Sequence, residues 1–214
     1  MEHPFGIDFG GTGIKGAPVD LEVGDFAHER LRIDTPRPAT PQAVAQVFQE
    51  IVGGFAASTR PVGVTVPGIV QRGVVRSAAN IDKSWMGEDA DAIFTEALGR
   101  EVHVVNDADA AGLAEAEYGA AKGRQGLVMV ITLGTGIGSA MIFDGQLVPN
   151  SEMGHLERLF TPDLFVSGGG VSKSWDRFGH LIEVETEMVP ATLQNRAGIV
   201  GAALVAHRKA GSPD

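Results

Sequence analysis

Two Gly/Thr turns between apolar runs, and two polar constellations beside predicted strands, are the parts of this 214-residue chain best suited to chemistry. The first turn, Gly10-Gly11-Thr12-Gly13, follows the apolar run 5–9 and has Lys15 just beyond it. The second, Gly134-Thr135-Gly136-Ile137-Gly138, follows the apolar run 128–133. Glycine lets backbone N–H groups approach an oxyanion closely, and successive N–H groups form an anion-binding concavity. Each threonine adds a hydroxyl donor, and Lys15 adds a cation beside the first turn. A single turn of this kind reads as an ordinary hairpin. Two of them, with matching apolar flanks, point to phosphate binding.

Gly11-Thr12-Gly13-Ile14-Lys15-Gly16 also fits the G-x-G-x-x-G string of dinucleotide-binding turns, which requires a helix to follow. The sequel Ala17-Pro18-Val19 argues against a helix. Strand, glycine turn, strand is the better reading.

Asn106-Asp107 closes an apolar run, Val102–Val105, and opens an Ala-rich segment. Asp107 there is either a helix cap, a duty Asp109 could share, or a base that takes a proton from a substrate hydroxyl. Spacing alone leaves both open and favours the cap. Glu152 and His155, in Glu-Met-Gly-His after the second hairpin, offer the mixed acceptors and donor that suit vicinal sugar hydroxyls. They lack the further ligands a metal site would need. Asn80 is a further polar candidate, with Asp82 a turn former nearby.

An alternating α/β order must position these residues. Strands are predicted over 5–9, 14–20 and 26–33. A helix follows, with Thr40 as N-cap, Pro41 at its first position and Val44, Val47, Phe48 and Ile51 at helical spacing. A buried strand stops at Pro67-Gly68, and a short helix closes at Gly99. Strand 102–106 leads into the Ala-rich helix, and Asp144-Gly145 turns the second hairpin onward. Leu164–Ser167 then reads as a strand entering Gly168-Gly169-Gly170, and a helix of small residues lies near the end.

The chain carries 27 acidic and 17 basic residues, a net charge of −10, which argues against a broad nucleic-acid-binding face. A local cluster can still serve an anion. Lys15, Arg72, Arg76, Lys83, Lys122 and Arg124 are its candidates, a solvated surface charge being the alternative for each and the favoured one for Arg76 and Arg124. With no cysteine, disulfides and thiolate metal sites are excluded. No leader segment or membrane-length apolar run is evident, so a cytoplasmic setting is expected.

The motifs "DFGGTGIK", "VPGIV", "AANIDKSW", "VNDADAAGLAE", "TLGTGIG", "EMGH" and "GGGVSK" resemble, in this order, those of ROK-family sugar kinases, and within them the polyphosphate-using branch. The resemblance implies an α/β, two-lobed actin/hexokinase-like (ribonuclease H-like) fold with a sugar cleft between the lobes. The lobes would be 1–106 and 107–214, with a last helix at about 196–208 packing back on the first lobe. It implies that Asp8, Gly10, Gly11, Thr12, Gly13 and Lys15 form the first phosphate turn, with Asp8 at Mg2+ directly or through water. Gly134, Thr135, Gly136 and Gly138 would form the second, and Gly168, Gly169 and Gly170 the nucleotide-side turn. Gly68, Asn80, Asn106, Asp107, Glu152 and His155 match sugar contacts, and Asp107 the catalytic base.

The implied reaction passes a phosphoryl group from polyphosphate or ATP to the 6-hydroxyl of glucose, with mannose use left open. A homodimer without nucleic-acid or membrane partners is implied. The zinc motif of many relatives is absent, so no zinc is expected. A sugar-responsive repressor is the first rival, but it needs a DNA-binding segment for which a strand starting at residue 5 leaves no room. A second departure concerns length: Gly154-His155-Leu156-Glu157 runs straight into Arg158-Leu159-Phe160, where relatives carry several dozen further residues. That keeps a second rival, a non-catalytic sugar-binding protein, in view.

Overall fold

The structure, a computed structural model, describes residues 3–55, 60–78, 81–133, 137–149, 162–179 and 186–210. It opens with a hairpin of β1 (Phe5–Phe9) and β2 (Gly13–Asp20), antiparallel, with Asp8 opposite Lys15. The dinucleotide-binding alternative is thereby excluded. Short strands β3 (Asp25–Phe26) and β4 (Leu31–Asp34) continue from β2. The single strand expected over 26–33 is in fact split. From Gly16 to Val19 β2 advances three residues, while its partners take five, from Phe26 to Leu31, so the excess loops out.

Helix α1 (Pro41–Gly53) begins as its sequence requires, the Thr40 hydroxyl accepting the Ala43 N–H at 3.3 Å. Its apolar face, Val44, Val47, Phe48 and Ile51, is buried against the first sheet. There Phe9, Phe48, Trp85 and Phe94 stack at centroid distances of 4.5–6.4 Å. Burying each such ring stabilises the lobe by about 1.5–3 kcal/mol.

Strands β5 (Val62–Val66) and β8 (Val102–Asn106) add in parallel to β1, giving the order β3-β2-β1-β5-β8. Between them lie the hairpin β6 (Val70–Gln71) and β7 (Val74–Val75), then α2 (Ala90–Leu98), capped by Asp89 and closed by Gly99 at φ 62°. A second sheet repeats the plan: β9 (Leu127–Leu133) and β10 (Ile137–Phe143) form an antiparallel hairpin extended by β11 (Gln146–Val148). Strands β12 (Leu164–Gly168) and β13 (Met188–Pro190) follow in parallel, giving β11-β10-β9-β12-β13.

Two helices lie between the sheets. Helix α3 (Asp107–Tyr118) packs on β9 and β10, the last helix (Ala197–Ala210) packs on β1, β5 and β8, and the two helices pack on each other. Each has a sheet on one side and a helix on the other. That is why both are rich in alanine and glycine rather than striped. A Cβ at Gly201 would overlap the Ala110 carbonyl, and one at Gly63 would overlap that of Ala202. Among the described residues no helix is long and apolar enough to cross a membrane.

Candidate active site

The β1–β2 turn is held from outside. The Gly10 N–H donates to the Gly13 carbonyl at 3.2 Å, the Thr35 hydroxyl donates to the Gly10 carbonyl at 2.6 Å, and Arg32 donates to the Thr12 carbonyl at 3.2 Å. Arg32 is itself fixed by Asp34 at 2.7 Å. Three contacts thus consume carbonyls of the turn, while Gly11 and Thr12 stay exposed. A Cβ on Gly11 would meet nothing within 4 Å, which leaves room for a ligand against the backbone.

Asp8, on β1 just before this turn, is fixed on both oxygens. Its Oδ1 accepts the Thr65 hydroxyl at 3.0 Å and its Oδ2 lies 3.4 Å from Lys15 Nζ. Thr65 is fully buried and also accepts the Phe9 N–H at 3.2 Å, so it ties the carboxylate to the sheet. The first turn of the last helix reaches the same carboxylate: a Cβ on Gly198 would sit 3.2 Å from Asp8 Oδ1. A helix N-terminus favours negative charge nearby. Neither Thr65 nor Gly198 emerges from the sequence reading. The one available signal is a lone hydroxyl in the apolar strand Val62-Gly63-Val64-Thr65-Val66.

At the end of β8 the two Asx residues divide their work. Asn106, not Asp107, is the N-cap of α3: its Oδ1 accepts the N–H groups of Ala108 and Asp109 at 2.9 and 3.1 Å. Its Nδ2 donates to the Gly68 carbonyl at 3.0 Å, joining the loop after β5 to the start of α3. The Asn106 side chain thus engages its oxygen and one of its two N–H groups within the protein. A Cβ on Gly68 would overlap the Ser77 carbonyl, so close packing requires the glycine. Asp107 is the first residue of α3, half-buried, with Oδ1 3.0 Å from the Ala108 N–H. The structure therefore brings Gly68, Asn106 and Asp107 together at the ends of two adjacent parallel strands.

In the second sheet, Gly138 stands opposite Thr132, and Gly168 pairs with Thr132 from the other side. Gly169, at φ 82°, precedes a 3-10 turn that starts at Gly170, and its carbonyl accepts the Ser172 hydroxyl at 2.7 Å. Asn80, Gly134, Thr135, Gly136, Glu152 and His155 lie outside the described residues.

The other cations do not form one track. Arg124 is paired with Glu187 at 3.4 Å, while Arg72 and Arg76 lie beyond β8, on the far side of β5 from Lys15. Behind β8, burial and then the nearby Lys209 hold the His103 imidazole below its usual range. Its Nε2 is 3.2 Å from Glu101 Oε1 but out of line for a hydrogen bond, so burial dominates. Burial pushes the Asp91 carboxyl up, partly offset by the Val104 N–H it accepts at 2.7 Å.

Two sheets of one strand order, with helices crossing between them and glycine turns at the strand ends, form the actin/hexokinase-like fold. The model of the ROK family matches residues 4–158, and the chain belongs to that family. It is 47% identical to the polyphosphate glucokinase of Mycobacterium tuberculosis, over 95% of this chain and 91% of that one. Among solved structures, it is similar to the inorganic polyphosphate/ATP-glucomannokinase of Arthrobacter sp. strain KM, with a TM-score of 0.93 and 49% identity over 97% of this chain and 99% of that one. The fold is shared with a ROK family glucokinase from Streptomyces griseus, TM-score 0.81 at 24% identity over 96% of this chain and 99% of that one. The alignment to the mycobacterial protein runs over 242 positions, more than the 214 residues here, so it includes positions at which this chain has no residue.

Proposed function

We propose that this chain transfers the terminal phosphoryl group of inorganic polyphosphate, or of ATP, to the 6-hydroxyl of glucose, giving glucose 6-phosphate. One observation carries the chemistry: Asp107 stands half-buried as the first residue of α3, next to Asn106, which caps that helix and holds the Gly68 loop. Similarity to enzymes named for polyphosphate, ATP and glucose supports the choice of donor and acceptor.

Asp107 accepts the proton of the 6-hydroxyl as its oxygen attacks the terminal phosphorus, and the bond from that phosphorus to the rest of the donor breaks. Gly68, Asn106, Asn80, Glu152 and His155 hold the sugar. The turn Gly10–Gly13 with Lys15, and the turn Gly134–Gly138, hold the donor phosphates, with Gly168, Gly169 and Gly170 on the nucleotide side. Residues 1–106 and 107–214 act as two lobes whose closure excludes water. The homodimer rests on the resemblance alone.

Asp8 suits Mg2+. This ion is usually held by one or two carboxylates plus substrate phosphates, and Asp8 is a single, partly exposed carboxylate beside a phosphate turn, with Thr65 fixing one oxygen. When bound, the ion offsets charge on the transferring group.

Initial rates with each donor, at matched glucose over a salt series, test the reading. Polyphosphate should be used at least as well as ATP and should fall more steeply with salt, because the longer polyanion carries more charge to be screened. Activity with ATP alone, or equal salt slopes, leaves an ATP glucokinase. The positions missing against the mycobacterial relative favour a second reading, a sugar-binding protein without turnover. Glucose binding with no product from either donor would establish it.

A further inference from the structure

A cavity of about 800 Å3 opens beyond β8, between the β6–β7 hairpin, the end of β8 and the far half of the last helix. Asn106 and Asp109, at the start of α3, line it on one side, and Arg72, Arg76 and Lys209 bring three cations to it. All three are exposed, and none is within ion-pair distance of a carboxylate among the described residues. Asp109 is the single carboxylate among the described lining residues, and Asp91 stands behind Gly73, so the cations outnumber the acids facing them. A volume of this size suits a small metabolite.

The hairpin supplies an independent observation. Its two central residues are Arg72 at φ 53° and Gly73 at φ 78°, a pair of left-handed positions that favours Asn-Gly. Arginine gains nothing from that backbone and touches no core. A residue held against its local preference beside a cavity marks a task for its side chain. The donor turn cannot be that task. It joins β1 to β2, two to three strand spacings from β8 in the sheet, roughly 10–14 Å at the usual spacing.

We propose that this cavity binds a small metabolite carrying a phosphate monoester, its dianion gripped by Arg72, Arg76 and Lys209, at a site separate from the donor turns. Arginine provides the planar fork that phosphate oxygens favour. Occupancy reaches the acceptor site through Asn106, which lines the cavity, caps α3 and holds the Gly68 loop. The binding is independent of the kinase reading, whereas this coupling rests on it.

The experiment is a calorimetric titration of the full chain with glucose 6-phosphate and, separately, inorganic phosphate. Saturating glucose and a non-hydrolysable ATP analogue with Mg2+ are present to fill the acceptor and donor sites. One monoester should bind per chain, and Arg72→Gly and Arg76→Ala should each weaken it by about tenfold or more, the scale of one charge-assisted hydrogen bond. Arg72→Gly should also raise the melting temperature, since glycine tolerates the backbone, so its lost binding cannot come from unfolding. Without added anion, both variants should phosphorylate glucose at the wild-type rate, and added monoester should shift the KM for glucose in the wild type beyond the product competition that both variants retain. Absence of binding, or binding that survives both substitutions, overturns the site. Equal affinity for inorganic phosphate overturns the metabolite assignment, and a KM shift no greater than that of the variants overturns the coupling. If the chain proves not to be a kinase, the titration still reads the site, since its arginine dependence requires no turnover.

Discussion

The two hairpins that open the two sheets share topology and differ in chemistry at one register position. In the first, Asp8 lies opposite Lys15 and beside Thr65, a charged pair anchored by a buried hydroxyl. In the second, the residue one step before the strand end is Thr132, opposite Gly138 and beside Gly168. One half presents a carboxylate and a cation, and the other a neutral hydroxyl between two glycines. Under the proposed phosphoryl transfer, the duplicated frame would supply unlike halves of one phosphate grip: charge from one side, close backbone approach from the other. The same proposal gives the acceptor side a third contribution, Asp107, which follows β8 of the first sheet.

The largest effect expected is at Asp107. Asp107→Asn should lower turnover by roughly 10²–10⁴-fold, the usual weight of a general base, while calorimetric glucose affinity stays near wild type because amide and carboxylate share a shape. Near wild-type turnover would remove Asp107 from the mechanism.

The comparison itself is broken or sharpened by a matched pair of variants. Asp8→Asn should reduce kcat by roughly 10²-fold, the scale of one preorganised electrostatic group. Thr132→Val should cost less than about tenfold, the scale of one neutral hydrogen bond. Comparable losses in steady-state assays would mean that the halves are chemically equivalent after all.

The helices that join the halves give a stability prediction. Gly201→Ala places a methyl group on the Ala110 carbonyl and should cost about 1–3 kcal/mol through forced repacking, read as a lower midpoint in chemical denaturation. An unchanged midpoint would show that α3 and the last helix separate easily.

The smallest effect concerns pH. Burial lowers the folded-state pKa of His103 below its ordinary 6.5, so the unfolded chain binds that proton more readily. The stability linked to it is therefore full above pH 6.5 and is lost as pH falls through the lowered value. His103→Gln should flatten the melting temperature over that window; an unaltered acid slope would assign the loss to other groups.

Much of this was legible in the chain. The Thr40 and Gly99 caps and the strand at 102–106 follow from local preferences, and the structure agrees with each. The assignment of the cap to Asn106 was not legible, because adjacent Asx residues are equivalent until the backbone shows which one is extended: Asn106 has φ −62° and ψ 145°. Thr65 looked like one strand residue among several, since its role depends on a partner 57 residues away. Arg76 read as a solvated charge, and only the packing of the hairpin beside β8 puts it on a cavity with Arg72 and Lys209.

The most direct measurement follows the acceptor oxygen. Glucose labelled with ¹⁸O at the 6-hydroxyl is incubated with polyphosphate and the purified chain, and the product is analysed by ³¹P NMR and mass spectrometry. Attack by that hydroxyl, with its proton passing to Asp107, predicts glucose 6-phosphate with the label in the bridge between carbon and phosphorus. Label lost from the bridge, or no sugar phosphate with either polyphosphate or ATP, would contradict the account.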